Sequence, residues 1–203
     1  MRLGVFGGTF DPIHNAHLFV AESARILEGL EGVLFVPTNR HHYRDKPQAT
    51  AVDRCAMILG AIEGNPAFSL EEADLRDDAS GYTADLLPKL AAKYPDAGFT
   101  FIIGADSLAS TNWVRFDEVL QALERFAIAP RAGVQSDSLA RVIAAVPPGL
   151  RERVSMLNLP EIPQSATLIR GLIAQGRTVR YLVPETVWRY ITAQRLYGYQ
   201  LNA

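Results

Sequence analysis

Four short stretches of the chain, residues 3–6, 33–36, 99–103 and 126–129, are apolar but for Thr100 and rich in β-branched or aromatic side chains. Runs of that length without polar alternation suit strands buried on both faces, which occur in parallel sheets covered by helices. The longer stretches between and after them, about 16–30, 51–63, 83–93, 113–123 and 136–145, read as helices. Strand, helix, strand in succession demands right-handed crossover connections. The expected class is therefore α/β with a doubly wound parallel sheet, to which residues 154–157 could add one strand.

The C-terminal part, from about residue 160 to 203, has a different pattern. Residues 165–175 and 184–196 both read as helices, with Gly176 closing the first and Pro184 opening the second. They belong against the sheet, so residues 1–203 are expected to form a single domain. Hydrophobic residues make up 48% of the 203, enough for a core without covalent staples. That matters because Cys55 is the only cysteine and cannot form an internal disulfide. On its amphipathic stretch, Cys55 reads as a small buried hydrophobe.

A formal charge of −2 supplies no bulk attraction for nucleic acid or an anionic membrane. Any phosphate must be held by a local site. No apolar stretch reaches the ~18 residues of a membrane span, and the N-terminal apolar run is too short for a signal peptide. The expectation is a cytoplasmic protein.

The strongest chemical signal is Gly4-Val-Phe-Gly-Gly-Thr-Phe-Asp-Pro-Ile-His-Asn-Ala-His17. A buried strand ends at Gly7-Gly8, which let the backbone turn tightly and approach a ligand. A helix then starts near His14 or Asn15, and its unpaired N–H groups and dipole suit a phosphate. In open α/β sheets, ligands bind beyond the carboxyl ends of the strands. Neither GxGxxG nor GxxxxGK[ST] is present, which argues against a nicotinamide dehydrogenase and a P-loop NTPase. His14 and His17 stand three apart and share a helical face, from which two imidazoles can donate to phosphate oxygens. A His-x-x-His pair also suits a metal. No third ligand follows at suitable spacing, although Asp11 and the pair His41-His42 could be recruited from afar.

The segment GGTFDPIHNAH resembles the signature of the nucleotidyltransferase superfamily, and within it the form typical of nicotinate and nicotinamide mononucleotide adenylyltransferases. The resemblance implies a Rossmann-like sheet with Gly7, Gly8, Thr9 and Phe10 at the ATP cleft and His14 and His17 on the phosphates in flight. It extends over nearly the whole chain. Ser165-Ala-Thr-Leu-Ile-Arg170 is similar to the second signature, [ST]-[SA]-T-x-[IL]-R. There Ser165 or Thr167 caps a helix whose N–H groups bind phosphate, and Arg170 adds a guanidinium one turn later. Gly104-Ala-Asp-Ser-Leu108 resembles the family's Gly-x-Asp-Ser-Leu. It implies that Gly104 admits the nucleotide and Asp106 takes the adenosine ribose, while a capping role for Asp106 stays open.

For the acceptor, Gly81-Tyr-Thr83 resembles [SG]-Y-T, implying that the amides of Tyr82 and Thr83 hold a carboxylate. Trp113 stands where deamido-specific members stack an indole on the pyridine ring. Asn39-Arg-His-His-Tyr-Arg44 departs from the usual Asn-x-Pro-Pro-His-[KR]: Asn39 and the basic Arg44 remain, both prolines do not. Arg131, in Ala-Pro-Arg-Ala-Gly, matches a turn whose arginine lines the triphosphate side, while a solvent-facing role for it stays open. The resemblance thus implies transfer of AMP from ATP to nicotinate mononucleotide, with Mg²⁺ arriving on ATP and no dedicated metal ligands. Implied partners are ATP and nicotinate mononucleotide, with no nucleic acid and no membrane; a homo-oligomer stays open. Acceptors such as nicotinamide mononucleotide or pantetheine phosphate, a non-catalytic sensor on the same fold, and a metal-dependent hydrolase are the competing readings.

Overall fold

The computed structural model describes residues 1–38, 46–110, 113–131, 140, 143–144 and 146–200. Six strands form one all-parallel sheet: β1 (Arg2–Gly8), β2 (Gly32–Pro37), β3 (Phe68–Leu70), β4 (Gly98–Gly104), β5 (Arg125–Ala129) and β6 (Val154–Met156). Their order is β3-β2-β1-β4-β5-β6. β1 therefore sits between β2, which follows it, and β4, where the winding direction changes. In such a sheet the crevice beyond the carboxyl ends of β1 and β4 is the place for a ligand.

Period-two alternation along each strand sends side chains to two separate cores. Phe6, Val33, Phe35, Ile102 and Ala127 pack on one face, which is covered by α1 (Asn15–Leu27), α2 (Ala51–Ile62), α6 (Ala166–Ala174) and α7 (Glu185–Ala193). Leu3, Val5, Leu34, Phe99, Phe101 and Phe126 pack on the other, under α3 (Thr83–Lys93), α4 (Ala105–Ser110) and α5 (Phe116–Gln121). Burial on both faces is why these strands read as apolar runs, interrupted only by Thr100 in β4.

Several expectations shift in detail. β3 was not foreseen: its three residues, Phe-Ser-Leu, form the sheet's edge and carry no continuous apolar run. The helix expected over 113–123 begins at Phe116, because Arg115 adopts a left-handed φ of 53° and ends the preceding turn. The last helix stops at Ala193, and Arg195 (φ 51°) and Tyr197 (φ 59°) fold the chain into a short 3₁₀ turn. The helix expected over 136–145 lies outside the described residues except at 140, 143 and 144. Cys55 is buried, and burial raises its thiol to about 11, as expected for a packing residue.

Candidate active site

β1 delivers its last residues into a turn that glycine makes possible. A Cβ on Gly8 would lie 3.0 Å from the Phe10 ring, so the missing side chain lets Phe10 (φ 50°) fold back over the strand end. Phe10 also meets Phe6, Phe35 and the His17 ring, which fixes the turn from below. His14 then takes an extended conformation as N-cap, and α1 starts at Asn15.

The two imidazoles lie face to face, ring centroids 3.6 Å apart and tilted by 16°. The His14 amide donates to His17 Nδ1 at 3.3 Å, so the neutral His17 ring carries its proton on Nε2. His14 is 1% exposed and its Nδ1 has no hydrogen-bond partner. Burial, and then the positive charge of Arg131, lowers His14 from 6.5 to about 3. Burial, His14 and Arg131 in turn hold His17 well below the usual imidazole range. Each ring therefore offers one neutral donor to an incoming anion.

Those rings stand on the wall of a cavity of about 540 Å³. Gly7, Gly8, Thr9 and Phe10 form its floor; Gly104 and Asp106, at the junction of β4 and α4, form one side. A Cβ on Gly104 would come within 2.6 Å of Asp106 Oδ1, so glycine leaves room for that carboxylate. Arg131 follows β5, and its Nε lies 3.9 Å from Asp106 Oδ2. Ser165, Thr167 and Arg170 enter from the start of α6. Ser165 Oγ accepts the Leu168 amide at 3.1 Å, a side-chain N-cap. Arg170 donates to the Asp11 carbonyl at 2.7 Å and to Thr167 Oγ at 3.4 Å, while its buried Nε has no partner.

The residues singled out for ATP from three separate motifs thus converge on one cavity. Arg131, grouped with the acceptor residues, lines the same cavity. Tyr82, Thr83 and Trp113 do not line it. The Tyr82 amide already donates to Ser80 Oγ at 3.2 Å, and Thr83 opens α3. Trp113 packs against Phe101, Phe116 and Phe126, with its Nε1 buried and unpartnered. Asn39 and Arg44 lie outside the described residues.

Sequence reasoning missed three residues that hold this cavity together. Lys46 brings a third cation to its wall, beside Pro47 and Gln48. Asp11, considered only as a distant metal ligand, is 2% exposed and accepts the Gln48 and Ala49 amides at 2.8 and 3.1 Å. Arg54 is 1% exposed on α2 and donates to the Thr9 and Thr38 carbonyls at 2.7 and 2.9 Å. It clamps the exit of β1 to the exit of β2. The available signal was an arginine on the apolar stripe Arg54, Ile58, Ile62. A buried guanidinium needs partners, so its presence there implied carbonyls within reach.

Residues 5–172 match the model of the cytidylyltransferase-like family. The chain belongs to that family. Within it, a relative from Symbiobacterium thermophilum named "Probable nicotinate-nucleotide adenylyltransferase" is 39% identical, covering 97% of this chain and 95% of its own. One of the same name from Thermomicrobium roseum is also 39% identical, over 97% and 91%. The fold is similar to that of the Plasmodium falciparum nicotinic acid mononucleotide adenylyltransferase solved in complex with NaAD, with a TM-score of 0.78, 18% identity and 99% of both chains covered. For a cytidylyltransferase-like chain, the α/β Rossmann-like sheet is thus as the sequence led us to expect.

Proposed function

We propose that this protein transfers the AMP moiety of ATP to nicotinate mononucleotide, giving nicotinic acid adenine dinucleotide and pyrophosphate. The observation that carries the reading is full-length kinship with nicotinate-nucleotide adenylyltransferases, joined to one cavity that collects all three nucleotide motifs. No covalent intermediate is required. The acceptor's 5′-phosphate is ionised at neutral pH and is itself the nucleophile. Its oxygen forms a bond to the α-phosphorus as the bond to the β-phosphate bridging oxygen breaks, and pyrophosphate leaves with that electron pair. What the protein must supply is alignment and donors for the equatorial oxygens.

His17 Nε2–H and the His14 ring are the donors for the charge that grows on the α-phosphate. Thr9, the start of α6 with Ser165 and Thr167, and Arg170 hold the departing β- and γ-phosphates. Asp106 receives the adenosine ribose, and Gly104 gives it room. Lys46 and Arg131 supply the remaining positive charge around the triphosphate. A divalent ion, which we take to be Mg²⁺, fits as a guest of ATP. The donors facing the cavity are mostly cations, imidazoles and hydroxyls, so its ligands would be phosphate oxygens and water. Bound there, it would neutralise part of the charge developing on the leaving group.

For the acceptor, the Tyr82 and Thr83 amides at the start of α3 are matched to a carboxylate. The Tyr82 amide would exchange a neutral hydroxyl partner, Ser80, for a charged one. Trp113 would stack on the pyridine ring, and Asn39 and Arg44 would serve the mononucleotide's phosphate side. No helix among the described residues is long and apolar enough to cross a membrane, and we expect a cytoplasmic enzyme formed by a single domain. The test is product identification by mass after incubation with ATP, Mg²⁺ and each pyridine mononucleotide. Nicotinic acid adenine dinucleotide and stoichiometric pyrophosphate are expected; AMP or ADP with no dinucleotide would refute the reading.

A further inference from the structure

Asp11 gathers donors from three distant stretches of chain. Besides the Gln48 and Ala49 amides, its Oδ1 accepts the Tyr197 hydroxyl at 2.9 Å, and the Arg170 guanidinium lies 3.9 Å from its Oδ2. Tyr197 comes from the far end of the molecule, 186 positions along the sequence. Its ring is 9% exposed within the core formed by Phe10, Ile13 and Ile169. The backbone that presents it is held at φ 59°, between Arg195 at 51° and Gly198 at 76°. Left-handed conformations cost a non-glycine residue of order 1 kcal/mol, and two occur here within one short turn. Phenylalanine would fill the same space without burying a hydroxyl. Burial and the Asp11 carboxylate push the phenol far above its ordinary range, so it remains a donor at every working pH.

The carboxylate that Tyr197 secures fixes two cations of the site at once. Through the Gln48 and Ala49 amides it pins the short segment that carries Lys46 into the cavity. Through the Asp11 carbonyl and carboxylate it orients Arg170. We propose that Tyr197 is a positioning residue: acting through Asp11, the C-terminal turn sets where Lys46 and Arg170 meet the nucleotide phosphates. This rests on the nucleotide reading of the cavity, and not on which acceptor is used.

The test is the dissociation constant of Mg·ATP, measured by calorimetry at a temperature where each variant is folded by circular dichroism. It needs no acceptor, so it stays informative if the nicotinate assignment fails. If wild-type protein bound no ATP, the nucleotide reading itself would fall. Tyr197→Phe should weaken ATP about 5–20-fold, since one hydrogen bond to a charged group is lost and two cations loosen. Tyr190→Phe is the control. Its hydroxyl donates to Asp53 Oδ1 at 3.0 Å, and neither Tyr190 nor Asp53 lines the cavity or bonds to Asp11. It should leave ATP binding as in the parent. Asp11→Asn should weaken ATP at least as much as Tyr197→Phe, and the double variant should be no worse than Asp11→Asn beyond about twofold. Parental affinity in Tyr197→Phe, equal weakening in Tyr190→Phe, or multiplying effects in the double variant would each overturn the proposal. Should Asp11→Asn fail to fold, the comparison of Tyr197→Phe with Tyr190→Phe decides.

Discussion

A neutral imidazole offers a phosphate one N–H, and at His17 that proton sits on Nε2 because Nδ1 accepts the His14 amide. His17→Ala should therefore lower turnover by about 10²–10⁴, and His14→Ala by less, with modest change in ATP affinity. Steady-state kinetics at saturating substrates check this; near-parental turnover in both variants would remove the rings from the reaction. The same burial has a consequence for stability. His14 titrates near 3 when folded and near 6.5 when unfolded, so between those limits the unfolded chain binds the extra proton. Stability must fall as pH drops from about 6.5, by at most about 1.4 kcal/mol per pH unit for this group, and be indifferent to it above 6.5. The stability advantage of wild type over His14→Asn, from urea unfolding, should thus shrink by about 1 kcal/mol between pH 6.5 and 5.5. A constant difference would mean that His14 is not held neutral. Arg170→Ala should raise the ATP KM and reduce turnover together, since in the proposed role one guanidinium serves both binding and departure of pyrophosphate. A change in the acceptor KM alone would contradict that role.

At the scale of elements, α6 supplies both a capped helix and one wall of the cavity proposed to hold phosphates, and the two jobs can be separated. Ser165→Ala removes the bond to the Leu168 amide and should cost about 1 kcal/mol of stability. Ser165→Asp keeps a cap and should hold stability, yet it places a negative charge beside the phosphates and should raise the ATP KM. Thermal melts and ATP titrations of both variants check this; parental KM in Ser165→Asp would place the phosphates elsewhere. The elements that sequence revealed were those whose own residues decide them. β1, β2, β4 and β5 are buried on both faces, and α2 carries its own Thr50 cap. β3 escaped because a three-residue edge strand is defined by its partner, β2. The start of α5 escaped because Trp113 is drawn into the cluster of Phe101, Phe116 and Phe126 instead of continuing a helix. Within the site, Gly7 to His17 and Ser165 to Arg170 were readable because each is a local run. The contacts of Asp11, which lies inside the first run, and those of Arg54 and Tyr197 were not, because their partners lie 37, 45 and 186 positions away.

Across the whole molecule, a chain of net charge −2 concentrates Lys46, Arg131 and Arg170 around one cavity, so the positive charge it can offer a phosphate is local. We propose that its acceptor is distinguished by residues outside that cavity. On the proposed reading, a nicotinate carboxylate would accept from both the Tyr82 and Thr83 amides, whereas a carboxamide would turn an NH₂ donor toward one of them. That mismatch in a dry site is typically worth about 10²–10⁵ in specificity. Stacking on Trp113 would be similar for both rings, so Trp113→Ala should weaken acid and amide alike and largely keep their ratio. It should also lower the melting temperature, because the indole fills the aromatic cluster. The most direct test is kcat/KM of the wild-type enzyme for nicotinate and nicotinamide mononucleotide, with ATP saturating and pyrophosphate release followed. The acid should be favoured by at least about 10²-fold; comparable values for acid and amide would contradict the nicotinate reading.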